Sequence, residues 1–382
     1  MENGSKRTAI LLLGGLVLLL VFGAIALALP WMQVSGEEKN EVEKTIEAYR
    51  PVFDKMVSYN PADREALTKL LENAKTLIPE GLALKGKLGC PIFNLDEIKI
   101  PKEELQKITK LDPALLPLKD KNLEITQQGG FDAPLLDAGM LMKICDLQVI
   151  NAFYDVEAGK FAQAADRLRV CYHIGAGLRN TPLMPYVLSG VSIERYTDLA
   201  VLALGPKMDE ATLQSFVSYI KQRGTRIGNG LDVMKVDVVA IADNYTVLGN
   251  ETGSGTEKLL WKLGPLQKDR YTFVKAASVY FGLLKTWAEN GFQGEAGSLP
   301  EELAMQSRMF EKSFRQYHDL LVKLAAEDKE NKDVIAALNG IIESKIGKDA
   351  ENGYILYAGK LAYFVRDGYG CFRNLTEQGK GE

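Results

Sequence analysis

The chain has 382 residues, 46% of them hydrophobic, 25% charged, with a formal net charge of −4. That is enough apolar material for one large or two ordinary domains with a sizeable core. The mild acidity excludes an electrostatic footprint for nucleic acid and argues against a body lying broadly along an anionic membrane surface.

Residues 8–32 carry no charge, and 10–29 are almost wholly Leu, Val, Ile, Ala, Gly and Phe. About 20 such residues span a hydrocarbon core as a helix. Lys6 and Arg7 precede the run; Glu37 and Glu38 follow it. The positive-inside rule then places the N-terminus in the cytoplasm and the body outside it, periplasmic or at the cell surface. Trp31 falls where an interfacial aromatic belongs. The competing reading is a cleaved signal peptide, from the A-x-A patterns Ala24-Ile25-Ala26 and Ala26-Leu27-Ala28. The length of the run favours a retained anchor, and both readings put the body in one compartment.

Val42, Ile46, Tyr49, Val52, Phe53 and Met56 predict a helix over 37–56, kinked or divided at Pro51. Leu67, Leu70, Leu71, Ala74 and Leu77 predict a second over 63–78, stopped by Pro79. Residues 79–134 are rich in Pro and Gly and read as an irregular segment. Within it, 102–111 suggests a short helix. The alternation at 97–100 and 122–125 leaves a small β-ribbon open.

Residues 136–204 predict three packed helices. The first, 136–158, carries Met140, Leu141, Ile144, Leu147, Ile150 and Tyr154. The second, 160–180, places Phe161, Ala164, Ala165, Leu168, Cys171, Tyr172 and Gly175 on one face, with Asp166, Arg167 and Arg169 on the other. Gly159 ends the first helix, and so short a connection makes the pair antiparallel neighbours. Pro182 and Pro185 open the third helix, which ends at Gly205-Pro206. Asn151-Ala152-Phe153-Tyr154 followed by Gly159-x-Phe161-x-x-Ala164 resembles the middle of a tetratricopeptide repeat over about one unit. The resemblance implies that Gly159 closes the turn, Phe161 packs across it and Ala164 lets two helices approach. It also implies a concave surface for peptides or partner helices.

A fourth body helix is expected over 211–222 behind Asp209-Glu210, with Leu213, Phe216, Val217 and Ile220 inward. Gly224, Gly228 and Gly230 loosen the chain before another helix over 231–248. Residues 250–256 read as a polar loop. Helices follow over 271–290, 298–328, 333–346 and 350–365, with a Gly-rich loop at 291–298.

The expected fold is therefore all-α: an N-terminal transmembrane helix, then an irregular helical bundle or short α-solenoid, with the loop-rich segment at 79–134. By chain order it divides into a stub and anchor (1–36), helices plus irregular segment (37–134), a helical-hairpin core (135–248) and a C-terminal helical part packed on that core (257–382).

The four cysteines are Cys90, Cys145, Cys171 and Cys371. Cys145 and Cys171 are equidistant from residue 158, so an antiparallel pair brings them to one level, bridged or touching. The competing reading is two buried thiols acting as small hydrophobes. Cys90 and Cys371 would pair only by elimination. No spacing of Cys or His suggests a metal. His173 and Cys171 lie two residues apart on a helix and do not face each other. No phosphate loop, nucleophile elbow or dinucleotide fingerprint is present, and no carboxylate pair stands out. The sequons at Asn3, Asn244, Asn250 and Asn374 matter only in a source that glycosylates exported proteins. The expectation leans away from an enzyme, with no cofactor. It is a membrane-anchored scaffold or protein-binding module of an envelope complex, with the membrane reached through 8–32 and a protein partner. The alternative is a small-molecule binder or enzyme with a pocket between the helices and the 79–134 segment.

Overall fold

The computed structural model describes residues 34–57, 61–78, 109–120, 137–293, 297, 300–301 and 311–346. Helix accounts for 89% of it, and no strand occurs among the described residues. The expected anchor at 8–32 lies outside them, as do the β-ribbon at 97–100 and 122–125, the helix over 350–365, Cys90 and Cys371. Among the described residues no helix is long and apolar enough to cross a membrane.

The helices are α1 (Gly36–Val57), α2 (Pro61–Leu77), α3 (Ala138–Glu157), α4 (Phe161–Asn180), α5 (Met184–Leu204), α6 (Glu210–Gln222), α7 (Ile227–Val247), α8 (Gly255–Leu263), α9 (Pro265–Glu289) and α10 (Glu311–Ile346). Residues 109–120 form a short run of α and 3-10 turns. The chain forms two compact units, Met1–Phe53 with Met234–Gln316, and Asp54–Val233 with Tyr317–Glu382. Their boundaries fall inside α1, α7 and α10.

In the first unit, α1 is held to α7 and α9 by charge. Arg50 makes a two-pronged bond to Asp243 at 2.6 and 2.8 Å. Arg270 donates to Glu43 at 2.6 Å and to the Ala242 carbonyl at 3.1 Å. Tyr49 packs against Phe281, and the Lys235 ammonium sits over the same ring. Pro51 does not divide α1, which runs unbroken from Gly36 to Val57. Gly282 lies mid-helix in α9, exposed, with nothing within 4 Å of where a Cβ would stand. Gly282→Ala should therefore raise stability by about 0.5–1 kcal/mol, since alanine loses less backbone entropy. The check is the midpoint of urea unfolding; a lower midpoint would contradict it.

In the second unit, α3, α4 and α5 pack mutually, with α4 and α5 the most extensive pair. Leu141, Ile144, Leu147, Leu168, Ile174 and Val191 are fully buried. Gly159 takes φ 73° at the α3–α4 turn, where a side chain would be strained. The tightest approach lies elsewhere, between Gly175 of α4 and Gly190 of α5. A Cβ on Gly190 would stand 2.4 Å from the Arg179 nitrogen and 2.4 Å from the Gly175 oxygen. Only hydrogen fits there, so the two backbones nearly touch.

Three expectations are corrected. Gly228 and Gly230 do not precede the helix but lie within α7, because Gly230 leaves room for Leu321 and Leu324 of α10. Residues 250–256 are not a simple loop: 248–252 form a π-helical turn and α8 starts at Gly255. The helices expected over 298–328 and 333–346 are continuous from residue 311, with Asn331 buried inside the joined helix.

Candidate functional site

The densest chemistry in the second unit is a buried set of charges that α4, α5, the α6–α7 link and α10 bring together. α5 is apolar nearly all round, yet it carries Glu194, Arg195 and Asp198. Groups of that kind in a buried helix need partners, because a lone buried charge costs several kcal/mol. Arg179 Nε donates to Glu194 Oε2 at 3.0 Å and its Nη1 to Asn229 at 2.8 Å. Arg223 Nη2 donates to both Asp198 oxygens at 3.0 and 3.2 Å. The Tyr172 hydroxyl donates to Asp198 at 2.7 Å, and the Arg223 guanidinium lies over the Tyr172 ring. Arg226 reaches Asn331 at 3.0 Å and Glu327 at 3.4 Å, while Arg195 reaches Glu327 at 3.2 Å.

Four arginines thus face three carboxylates, and none of these side chains is more than 10% exposed. Arg226 Nε and Arg223 Nη1 approach Glu194 Oε2 at 3.4 and 3.7 Å, contacts that act through charge rather than aligned hydrogen bonds. The surroundings split the carboxylates. Burial pushes the Glu194 carboxyl up, but Arg223, Arg179 and Arg226 together bring it below its ordinary value. At Glu327 burial wins over Arg195 and Arg226, and its carboxyl is raised. Burial and the Asp198 charge hold the Tyr172 hydroxyl protonated far above its usual range.

A second set ties residues 109–120 to the hairpin. Arg167 donates to Asp112 with two nitrogens at 2.8 Å, to Asp155 at 2.7 Å and to Gln148 at 2.8 Å. Lys119 adds Asp166 at 2.6 Å. Arg167 is thus buried rather than on a solvated face, because residues 109–120 cover that side of α4 and bring Asp112 with them.

The residues expected from sequence fall as follows. Gly159 makes the turn, Ala164 is fully buried and Phe161 half-buried. Cys145 and Cys171 come together as free thiols, Cys171 Sγ 3.5 Å from the Cys145 carbonyl oxygen, with no bridge between them. Burial is the main reason the Cys145 thiol is held well above its usual range, with Cys171 adding to it. The thiolate is the reactive form. Cys145 should therefore resist iodoacetamide at pH 8 in the folded protein and react on addition of urea; rapid labelling without urea would contradict this burial.

His173 lies edge-on to Tyr219, and His318 is half-buried beside Asp319. Among the described residues no group of three or more His, Cys, Asp or Glu is placed to hold a metal. An open hollow of about 800 Å³ lies along α1, lined by Glu37, Glu41, Lys44, Tyr49 and, from α9, Ser278. No family model matches the chain, and no curated protein or solved structure matches it.

The charge set is not apparent from helical periodicity. The signal was present in Glu194-Arg195-x-x-Asp198 within an apolar helix and in Arg223-x-x-Arg226 after a helix end. Their partner Glu327 lies more than a hundred residues away on α10, and no local pattern joins them.

Proposed function

We propose that the protein is a membrane-anchored helical module, its body outside the cytoplasm, that holds another protein or organises an envelope complex. The anchor is the apolar run at 10–29, oriented by Lys6 and Arg7. The body is a helical bundle or short solenoid. The observation that carries the reading is the sealed charge set. Its acids and bases face one another at the junction of α4, α5 and α10, away from solvent, with Glu194 Oε1, Arg223 Nε and Arg226 Nε making no hydrogen bond. Such a network ties α4, α5 and α10 to one another, a structural role for these groups. The repeat-like α3–α4 hairpin supplies a surface of the kind that takes peptides or helices.

In-cell crosslinking of tagged full-length protein should recover one abundant exported or membrane partner. Reversing the charges of exposed Glu157 and Lys160 at the hairpin tip should weaken that recovery. A clean preparation without a partner would overturn the scaffold reading. The second reading is a small-molecule binder or enzyme with a pocket between the helices and the 79–134 segment, and thermal-shift screening of the full chain tests it.

A further inference from the structure

α8 differs from the other helices in the first unit. Residues 255–263 form a complete helix with no buried residue. It is preformed at both ends. Ser254 Oγ accepts from the Glu257 nitrogen at 3.3 Å, and Glu257 Oε2 accepts from the Ser254 nitrogen at 2.7 Å. Gly264 closes it at φ 106°. Trp261 anchors it from the inner side. Its ring sits so close over Gly249 that a Cβ there would be 2.3 Å from it. The outer side is apolar: Leu259, Leu260 and Leu263 are 54%, 36% and 37% exposed. At helical spacing these three share an arc of about 100°, and Lys258 and Lys262 border it.

The place of this helix decides what covers it. α9 starts one residue after α8 ends, and its Lys268 pairs with Glu38 in the first turn of α1 at 3.1 Å. Glu38 follows the end of the apolar run at Leu29 by nine residues, which reach about 30 Å at full extension. The start of α1 therefore lies within that reach of where the run ends, and Lys268 keeps the α8–α9 turn beside it. A second copy of the chain is a poorer occupant. A self-complementary contact would set Lys258 and Lys262 near their own copies, and nine residues offer far less than the roughly 800 Å² per partner of a stable interface.

We propose that α8 is a second membrane contact. Leu259, Leu260 and Leu263 enter the boundary between headgroups and acyl chains of the bilayer that holds 10–29, while Lys258 and Lys262 meet anionic lipid phosphates. This is the build of an interfacial helix, with apolar side chains bordered on one side by lysines and an axis along the surface. The acidity of the whole chain is no obstacle, because residues 255–263 hold Lys258 and Lys262 against Glu257 alone. The inference rests on the tether reading above.

The test reconstitutes the full chain into vesicles of phosphatidylcholine and phosphatidylglycerol doped with a phosphatidylcholine that carries a diazirine on its acyl chain. After irradiation the labelled residues are mapped by mass spectrometry. The expected result is label at 10–29 and again at 255–263. Leu259→Asp with Leu263→Asp should abolish the second and leave the first. Lys258→Glu with Lys262→Glu should reduce the second only where phosphatidylglycerol is present. Label at 10–29 alone, or crosslinks joining α8 of two chains, would overturn the proposal and spare the tether. Absence of label at 10–29 would overturn the tether itself.

Discussion

Glu194→Gln should cost the second unit about 3–5 kcal/mol, the usual penalty for removing one partner from a buried ion set. That is a large share of the stability of an ordinary domain. The glutamine fills the same volume, so the loss is one of charge: Arg179, Arg223 and Arg226 would share a buried site with Asp198 and Glu327 alone. The pH dependence tests the same cause. Glu194 has a folded-state pKa below its ordinary 4.5. Its contribution is therefore complete above the unfolded value and is lost as the pH falls through the depressed one. Wild type and variant should differ most near neutrality and converge in acid. Glu327 has the opposite sign. Its carboxyl is raised by burial, so the fold gains, from this group, as the pH falls toward 4.5. Glu327→Gln should accordingly cost less than Glu194→Gln. Urea unfolding of both variants at several pH values decides the matter, and equal midpoints for wild type and Glu194→Gln at pH 7 would refute it.

Gly190→Ala should lower stability by about 3 kcal/mol, the upper end of the range for overpacking. The added methyl meets backbone on both sides, the Arg179 nitrogen and the Gly175 oxygen. Backbone cannot swing aside as a side chain can, so α4 and α5 must part. The displaced segment carries Arg179, whose bond to Glu194 spans the same two helices. The two substitutions should therefore be less than additive in a double-mutant cycle, since each disrupts what the other relies on. Full additivity would show that the helix crossing and the charge set are independent. Gly282→Ala is the matched control, an alanine in open space on a helix.

Reading by periodicity reached most of the helices. Val42, Ile46 and Tyr49 of α1 and most of the apolar positions of α2, α3, α4 and α6 fall on buried faces, and Asp209 caps α6 through its side chain as its position before Glu210 suggests. The equal spacing of Cys145 and Cys171 from the hairpin turn brought two residues to one level, which is a property of any antiparallel pair. Glycines and buried charges do not follow from periodicity. Gly190 and Gly230 look like helix weakeners in a sequence, yet each marks a close neighbour that a side chain would displace. Arg167 looks like a surface residue until residues 109–120 cover it.

By itself the sequence determined that the described body is helical, where most helices begin and end, and which faces are apolar, because these follow from the 3.6-residue repeat and from capping chemistry close in the chain. It also determined the uncharged run at 8–32. Tertiary structure alone decided that Arg179, Arg223 and Arg226 would be buried with Glu194, and that Leu259, Leu260 and Leu263 would stay exposed. Burial depends on what another part of the chain brings to the same place. The partners that seal the arginines, Glu327 and Asn331, come from α10, and among the described residues nothing comes to cover the leucines of α8.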